Sequence, residues 1–474
     1  MKKGFRTFQP RFNTWDTQLH FPTNPHFLNE WRLHIDDAQT QFAGLSIAQR
    51  AQFLNDLAAN FLNAKAEISK VYLRESGLSS ERFEAEFERT HRTILIFAQH
   101  ILKVDWQKTE RSETENIQFS KQTLPLGTIL VLGSSNFPLA YSTLGGDTIA
   151  ALAAGCCVVL KAHPMHAGTS SLVAQCIAQT LQQWALSPFV FSHVLDDSYY
   201  WASTFAQESA VKAIGFTGSI KGGRALMNLA AARPEPIPVF AEMGSLNPVI
   251  ISPNHHQEAL AQIAKKLASS IYTDAGQFCT KPGLILVQTE EANIFESVLL
   301  EELAHLPATP MLHPDIHAKF EARKRQVFQN KGFTRAENQE QLEGIFARWG
   351  IAKTQLQDLF NASSALEEVF GPFAVVCSYE NIADLTKLFN ILGGQLTLSI
   401  FTQEAQPNVQ LLAAAQKIAG RIILNGVPTG VRVLEAMHHG GPYPASSDAR
   451  FTAVGPDSIK RFTKEICMQV HDAL

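Results

Sequence analysis

The chain has 474 residues, 45% of them apolar and 18% charged, with a formal net charge of −4. That length and balance allow more than one buried core and exclude a disordered chain, and the absence of a basic stripe speaks against a nucleic-acid surface. Six scattered cysteines with no CxxC pair suit neither a disulfide framework nor a metal-ligand set, and read as reduced thiols of a cytoplasmic protein.

The first residues, Met1-Lys2-Lys3-Gly4-Phe5-Arg6, are basic, but no apolar core follows, so no signal peptide is expected. The longest apolar stretch, Ile149 to Leu160, is broken by Gly155 and too short to span a bilayer, which argues against a membrane role. Residues 26–104 read as helical, with apolar side chains recurring at three- and four-residue spacing from Leu45 to Phe61 and from Phe83 to Leu102. Lys108 to Gln122 is polar and without a helical stripe, as in a linker or an exposed hairpin.

From Gly127 strands alternate with helices. Apolar runs predict strands at 128–133, 157–161, 190–195 and 212–216. Ser134 to Pro138 leads into a helix that ends at Gly155, and Thr169 to Trp184 forms another. After Glu242 the alternation resumes: strands at 248–251 and 284–288, helices at 257–272 and 291–303, later strands at 373–377, 398–402 and 421–424, and one more at 466–470. This is the pattern of an α/β protein with parallel, doubly wound sheets.

Cys279 lies between glycine-containing turns, in Asp274-Ala275-Gly276-Gln277-Phe278-Cys279-Thr280-Lys281-Pro282-Gly283. A lone cysteine is most often an inert core residue; a polar turn makes it a candidate nucleophile. Glu242 ends an apolar strand, where a carboxylate is costly unless it is paired or put to use. It reads either as half of a structural ion pair or as a base that activates water. Asn136 follows a buried strand and either forms the turn or donates to a developing oxyanion. Lys161 closes a strand at the edge where open parallel sheets bind ligands, although a solvated lysine is an equal reading. Gly218 and Ser219 open a helix whose free N–H groups suit a phosphate, or serve only as its cap. His163, His166, His438 and His439 lack cysteine or carboxylate companions at ligand spacing, so no metal is expected, while a catalytic role for His439 stays open.

Taken in order, Ser135-Asn136-Phe137-Pro138, Leu160-Lys161, Gly215 to Ser219, Glu242-Met243-Gly244, Gly276-Gln277-Phe278-Cys279 and Glu367 to Pro372 resemble the aldehyde dehydrogenase superfamily from about residue 40 onward. Gly145 to Thr148, Lys161 to Pro164 and His439 to Pro444 look like its branch of 2-oxoglutarate semialdehyde (2,5-dioxopentanoate) dehydrogenases and an NADP-dependent fatty aldehyde dehydrogenase of luminous bacteria.

The resemblance implies a Rossmann-like dinucleotide-binding domain (1–107 and 126–243), an α/β catalytic domain (244–450), and oligomerisation or bridging segments (108–125 and 451–474) in a homodimer or homotetramer. It implies Cys279 as nucleophile, Glu242 as general base, and the Asn136 amide with the Cys279 N–H as oxyanion hole, with His439 tuning the thiol. Lys161 and Glu368 would hold cofactor ribose hydroxyls, Gly218 and Ser219 the pyrophosphate, and Phe370 the nicotinamide ribose. Many NAD-preferring relatives carry a Glu three residues after the strand-end Lys. Pro164 stands there instead, so NADP is expected to be accepted beside NAD, with Lys161 and His163 near its phosphate.

The implied substrate is a small acidic semialdehyde, with a medium- or long-chain aldehyde as the alternative. Arg432, where the branch carries an acidic residue, is a candidate contributor to that choice. Retention of Cys279, Glu242 and Asn136 together argues against a non-catalytic structural relative, and Glu242 argues against an acylating reductase.

Overall fold

The computed structural model describes residues 4–103, 110–114, 117–340, 342–404 and 408–471. The expected helical region resolves into Phe27–Ala43, Ile47–Asn63, Lys65–Ser76 and Ser80–Leu102. Ser46 and Gln49 close a capping box on the second of these, and Ser79 caps the fourth by accepting from the Arg82 N–H. Their apolar stripes, among them Phe53, Leu57, Phe61, Phe87 and Ile94, fall in one core with the strands that follow.

Those strands form a five-stranded parallel sheet. From edge to edge it runs Phe191–Val194, Val158–Lys161, Thr128–Leu132, Val211–Thr217 and Val239–Glu242. The chain lays down its first strand in the centre, builds outward on one side, then returns to build on the other. The strand order therefore reverses between Thr128–Leu132 and Val211–Thr217, where open α/β sheets leave a ligand crevice beyond the strand carboxyl ends. Asn136, Lys161, Gly218 and Ser219 all follow or end strands of this sheet at that edge.

A second sheet of seven strands contains Val249–Ile251, Leu284–Gln288, Phe373–Tyr379, Gln395–Phe401 and Ala419–Leu424, parallel throughout except for the edge strand Thr334–Glu337. Its faces bury two further apolar clusters. A third, antiparallel sheet joins Glu110–Thr114, Ile117–Pro125 and Thr463–His471. The hairpin reading of Lys108 to Gln122 is thus met among the described residues; 108, 109, 115 and 116 lie outside them.

Several elements differ from the sequence reading. The helix after Pro138 begins only at Gly146, because residues 133–145 first form an irregular loop. A short antiparallel pair, Phe8–Gln9 with Thr14–Trp15, lies ahead of residue 26, where the sequence reading places no element. The strand Gly350–Gln355 and the helix Pro314–Phe328 escape the reading: a lysine interrupts the short strand, and the helix is dense with charge.

Candidate active site

Glu242 is the last residue of its strand, and its carbonyl accepts from the Gly218 N–H (3.0 Å). The segment 439–447 runs alongside: Met243 N–H donates to Ala445 O (2.8 Å), and Glu242 forms an isolated antiparallel bridge with Ser446. That crossing brings His439 beside the carboxylate, with Nε2 3.0 Å from Glu242 Oε1. The same nitrogen lies 3.7 Å from Cys279 Sγ.

The loop that carries Cys279 is held from several sides. Asp274 and Ala275 adopt left-handed backbone angles (φ 50° and 53°), conformations that persist in non-glycine residues only where the surroundings fix them. Here Arg82 Nε donates to Asp274 Oδ2 (2.6 Å), and the Gln277 amide spans from Asp274 O (2.9 Å) to the Leu312 N–H (3.0 Å). Gly276 (φ 65°) lies so close to the Gly371–Pro372 peptide that a side chain there would collide with it.

Downstream, the buried Asn247 donates through Nδ2 to Cys279 O (2.8 Å) and Lys281 O (3.0 Å), and accepts from Thr397 Oγ1 (2.9 Å). Asn136 reaches the same loop, its Nδ2 donating to Gln277 O (2.8 Å). Among the described residues no protein acceptor takes the Cys279 N–H.

Glu86 ties Asn136 into this arrangement. Its buried carboxylate accepts the N–H groups of Leu139 and Ala140 (both 2.9 Å), the Tyr72 hydroxyl (2.6 Å) and Arg82 Nη1 (2.9 Å). Because Arg82 also holds Asp274, one ion-pair chain sets the Asn136 loop and the Cys279 loop from a single helix.

Burial pushes the Cys279 thiol well above its ordinary range, and the Glu242 charge pushes it further. Burial also opposes ionisation of Glu242, but His439 and the Cys279 thiol outweigh it, so the carboxyl sits below its usual range and is ionised near neutrality. The donor atoms of Glu242, Cys279 and His439 all lie within 4.8 Å of one another. They form a compact cluster whose spacing suits proton transfer and on which a soft cation would also fit.

The chain is matched over residues 34–464 by the model of the aldehyde dehydrogenase family. It belongs to that family. It is 35% identical over 433 residues to the alpha-ketoglutaric semialdehyde dehydrogenase of Acinetobacter baylyi, covering 89% of this chain and 82% of the relative. It is 34% identical over 444 residues to alpha-ketoglutaric semialdehyde dehydrogenase 2 of Azospirillum brasilense, covering 91% and 85%. Among solved structures, a mutant of Thermus thermophilus 1-pyrroline-5-carboxylate dehydrogenase superposes with a TM-score of 0.88 at 16% identity, over 100% of this chain and 91% of that one. Glyceraldehyde-3-phosphate dehydrogenase GapN of Methanocaldococcus jannaschii, solved with NADP, superposes with a TM-score of 0.85 at 15% identity, over the whole of both chains. This aldehyde dehydrogenase is accordingly an NAD(P)-dependent enzyme of α/β fold that oxidises an aldehyde.

Of the expected cofactor residues, Lys161, His163, Pro164, Gly218 and Ser219 end or follow strands of the first sheet at its carboxyl edge, while Glu368 and Phe370 come from the loop before Phe373–Tyr379 of the second. Ser219 caps the helix Ile220–Ala231 through Oγ, which accepts from the Gly222 N–H (3.2 Å), and both Gly218 and Ser219 are exposed. An exposed helix N-terminus beside the switch point fits a pyrophosphate. Lys161 is only 8% exposed and donates from Nζ to Asp196 O (2.6 Å); burial lowers it to about 8.

The Asp196 carboxylate accepts from the Ser198 N–H and hydroxyl and from the Trp201 N–H. His163 accepts the Met165 N–H through Nδ1, which leaves the proton of its neutral ring on Nε2; burial keeps that ring well below the ordinary imidazole range. Pro164 begins the following 3-10 turn and brings no carboxylate. Glu368 lies against Gly244, where a Cβ would stand 2.5 Å from Glu368 Oε2, two residues from Glu242. Phe370 precedes the Gly371–Pro372 peptide that abuts Gly276.

Arg432 is exposed, while its neighbours Val431 and Val433 pack against the apolar cluster of Phe137 and Tyr141. The alternation of the chain turns Arg432 away from that cluster. Sequence reasoning also passed over Asn247, Glu86, Arg82 and Arg89, whose positions become meaningful only once the loops are folded onto them.

Proposed function

We propose that this aldehyde dehydrogenase oxidises a small acidic semialdehyde, 2-oxoglutarate semialdehyde first among them, and accepts NADP as well as NAD. The substrate reading rests on the two relatives above, which share about a third of their residues with the chain over most of their length. The cofactor reading rests on Pro164 and on the ammonium of Lys161 with the Nε2–H of His163, which leave no carboxylate to repel a 2′-phosphate at that position.

The cluster of Cys279, His439 and Glu242 carries the mechanism. His439 or Glu242 takes the thiol proton as Cys279 attacks the aldehyde carbon, because burial keeps the resting thiol neutral. The Asn136 amide and the free Cys279 N–H hold the oxyanion of the resulting thiohemiacetal. Lys161, Ser219, Glu368 and Phe370 would hold NAD(P), which when bound would accept the hydride given up by the thiohemiacetal carbon, so that Cys279 is left carrying the thioester. Glu242 then draws a proton from water, and attack of that water on the Cys279 thioester releases the acid.

We further propose that the chain is cytoplasmic, in keeping with its six free cysteines, and that the three-stranded sheet joins copies into a homodimer or homotetramer. Ile466, Met468 and Val470 recur on one exposed face of its outer strand, which suits such an interface. No helix among the described residues is long and apolar enough to cross a membrane. Steady-state kinetics with 2-oxoglutarate semialdehyde, succinate semialdehyde and long-chain aldehydes, each with NAD and NADP, test the reading; a strong preference for long-chain aldehydes overturns it.

A further inference from the structure

The approach to Cys279 is apolar on one side and cationic beyond it. Phe137, Ala140, Tyr141 and Val454 form a small buried cluster, and Phe278, the residue before Cys279, packs on it. Tyr141 reaches from this cluster toward the chemistry, its ring 6.4 Å from that of His439. On the other side, Arg89 of the helix Ser80–Leu102 donates from Nη2 to the Tyr141 hydroxyl (2.8 Å), with its guanidinium 5.1 Å from the ring centroid. Arg89, Tyr141, Val433 and Val454 line one narrow cleft.

Arg89 is half-buried, and among the described residues no carboxylate pairs with it. Other arginines of the helical region that are withdrawn from solvent have an evident structural role. Arg82 holds Glu86 and Asp274, and Arg50 holds main-chain carbonyls. Arg89 spends one N–H on a neutral phenol and keeps the rest of its fork.

A second cation stands close by. Arg421, in the strand Ala419–Leu424, donates to Pro428 O (2.6 Å) and Gly430 O (3.2 Å), and touches Met437 at the edge of the apolar cluster. It too has no carboxylate partner among the described residues. The charges of both arginines act on the site: Arg89 lowers the proton affinity of Cys279, and Arg421 is in turn influenced by Cys279 and Tyr141. Two half-buried cations without counter-ions are costly for an enzyme of neutral aldehydes, and are offset when the substrate brings the anion.

We propose that Arg89 is the specificity-determining residue that binds the distal carboxylate of the aldehyde, with Tyr141 orienting its guanidinium and Arg421 adding positive potential from a fixed position. This rests on the acidic-substrate reading above and deepens it. The aldehyde end reaches Cys279, the methylene chain lies on Phe137 and Phe278, and the carboxylate meets the free edge of the Arg89 fork. A planar guanidinium suits this role because it can receive a carboxylate through two parallel hydrogen bonds.

The test compares 5-oxopentanoate with its methyl ester, aldehydes of the same length with and without the charge. Wild-type enzyme should favour the acid in kcat/KM. Arg89→Met should raise KM for the acid about 30- to 100-fold and leave the ester within about threefold, as expected when one charge-assisted contact to substrate is removed. Tyr141→Phe should raise KM for the acid alone, by about 3- to 10-fold, with kcat unchanged; it keeps the assignment testable if Arg89→Met does not fold. If wild type favours the acid and both variants keep that preference, Arg89 is not the anchor and the acidic-substrate reading stands. If wild type shows no preference, the acidic-substrate reading fails and the assignment falls with it.

Discussion

The Nε2 atom of His439 lies 3.0 Å from Oε1 of Glu242. The same atom faces Cys279 Sγ at 3.7 Å, so one imidazole nitrogen sits between the proposed nucleophile and the proposed base. A proton on that nitrogen places a positive charge beside the buried carboxylate and favours its ionised form; without it, the carboxylate is left to draw a proton from the thiol or from water. The arrangement couples the charge of Glu242 to the reactivity of Cys279, and that coupling has a sign.

In the resting enzyme, burial and then the Glu242 charge hold the thiol above its ordinary range. Removing the charge lowers the thiol. Glu242→Gln should therefore shift the pH midpoint of iodoacetamide inactivation downward and speed alkylation near neutrality, even as turnover is lost. A midpoint that moves up would mean that Glu242 works chiefly by taking the thiol proton.

Asn247 holds the carbonyls of Cys279 and Lys281 together from a left-handed backbone position (φ 48°) that asparagine tolerates better than most residues. Asn247→Ala leaves both carbonyls without their side-chain donor, at a cost of about 1–3 kcal/mol each where water cannot replace it. A lower Tm with a larger fall in kcat than rise in KM is expected. Unchanged thermal melting would show that the clamp is dispensable.

Glu86 carries both the Asn136 loop and the Arg82–Asp274 link to the Cys279 loop. Glu86→Ala strands two N–H groups and an arginine in a buried place, a loss of about 3–5 kcal/mol for a broken buried pair. Chemical denaturation should register it directly. The conservative Glu86→Gln retains the one oxygen that both N–H groups share but loses the charge that holds Arg82, and should fall between.

Burial lowers the Lys161 ammonium to about 8. Its ammonium is present at pH 7 and lost as pH rises through that value, so attraction for a 2′-phosphate fades in the same range. The Kd of NADP should rise about 5- to 10-fold between about pH 7 and 9.5 while that of NAD changes little, and Lys161→Met should abolish the difference. Isothermal titration across the range measures it; parallel profiles for the two dinucleotides would remove Lys161 from phosphate binding.

Much of the architecture was legible because buried parallel strands are near-continuous apolar runs: 128–132, 158–161 and 284–288 are found close to where hydropathy puts them. Cys279, Glu242 and Asn136, the proposed nucleophile, base and amide donor, were legible because each stands in a short ordered motif. What surrounds them was not. Glu86 and Arg82 stand at i,i+4 spacing within one helix, and only the fold turns that pair inward onto two loops. Arg89 lies in the polar phase of a helix and acquires meaning from Tyr141, 52 residues away. The clamp made by Asn247 depends on a loop 32 residues on. Gly350–Gln355 hides because Lys353 interrupts it, with an ion pair to Glu296 that sequence spacing does not reveal.

The central claim is that Cys279 carries the acyl group and Glu242 releases it. Mixing Glu242→Gln enzyme with excess aldehyde and NADP should give one equivalent of NADPH per active site, no further turnover, and an acyl adduct on Cys279 detected by mass spectrometry of the peptide that contains it. Sustained turnover of that variant, or a burst without an adduct on Cys279, would contradict the account.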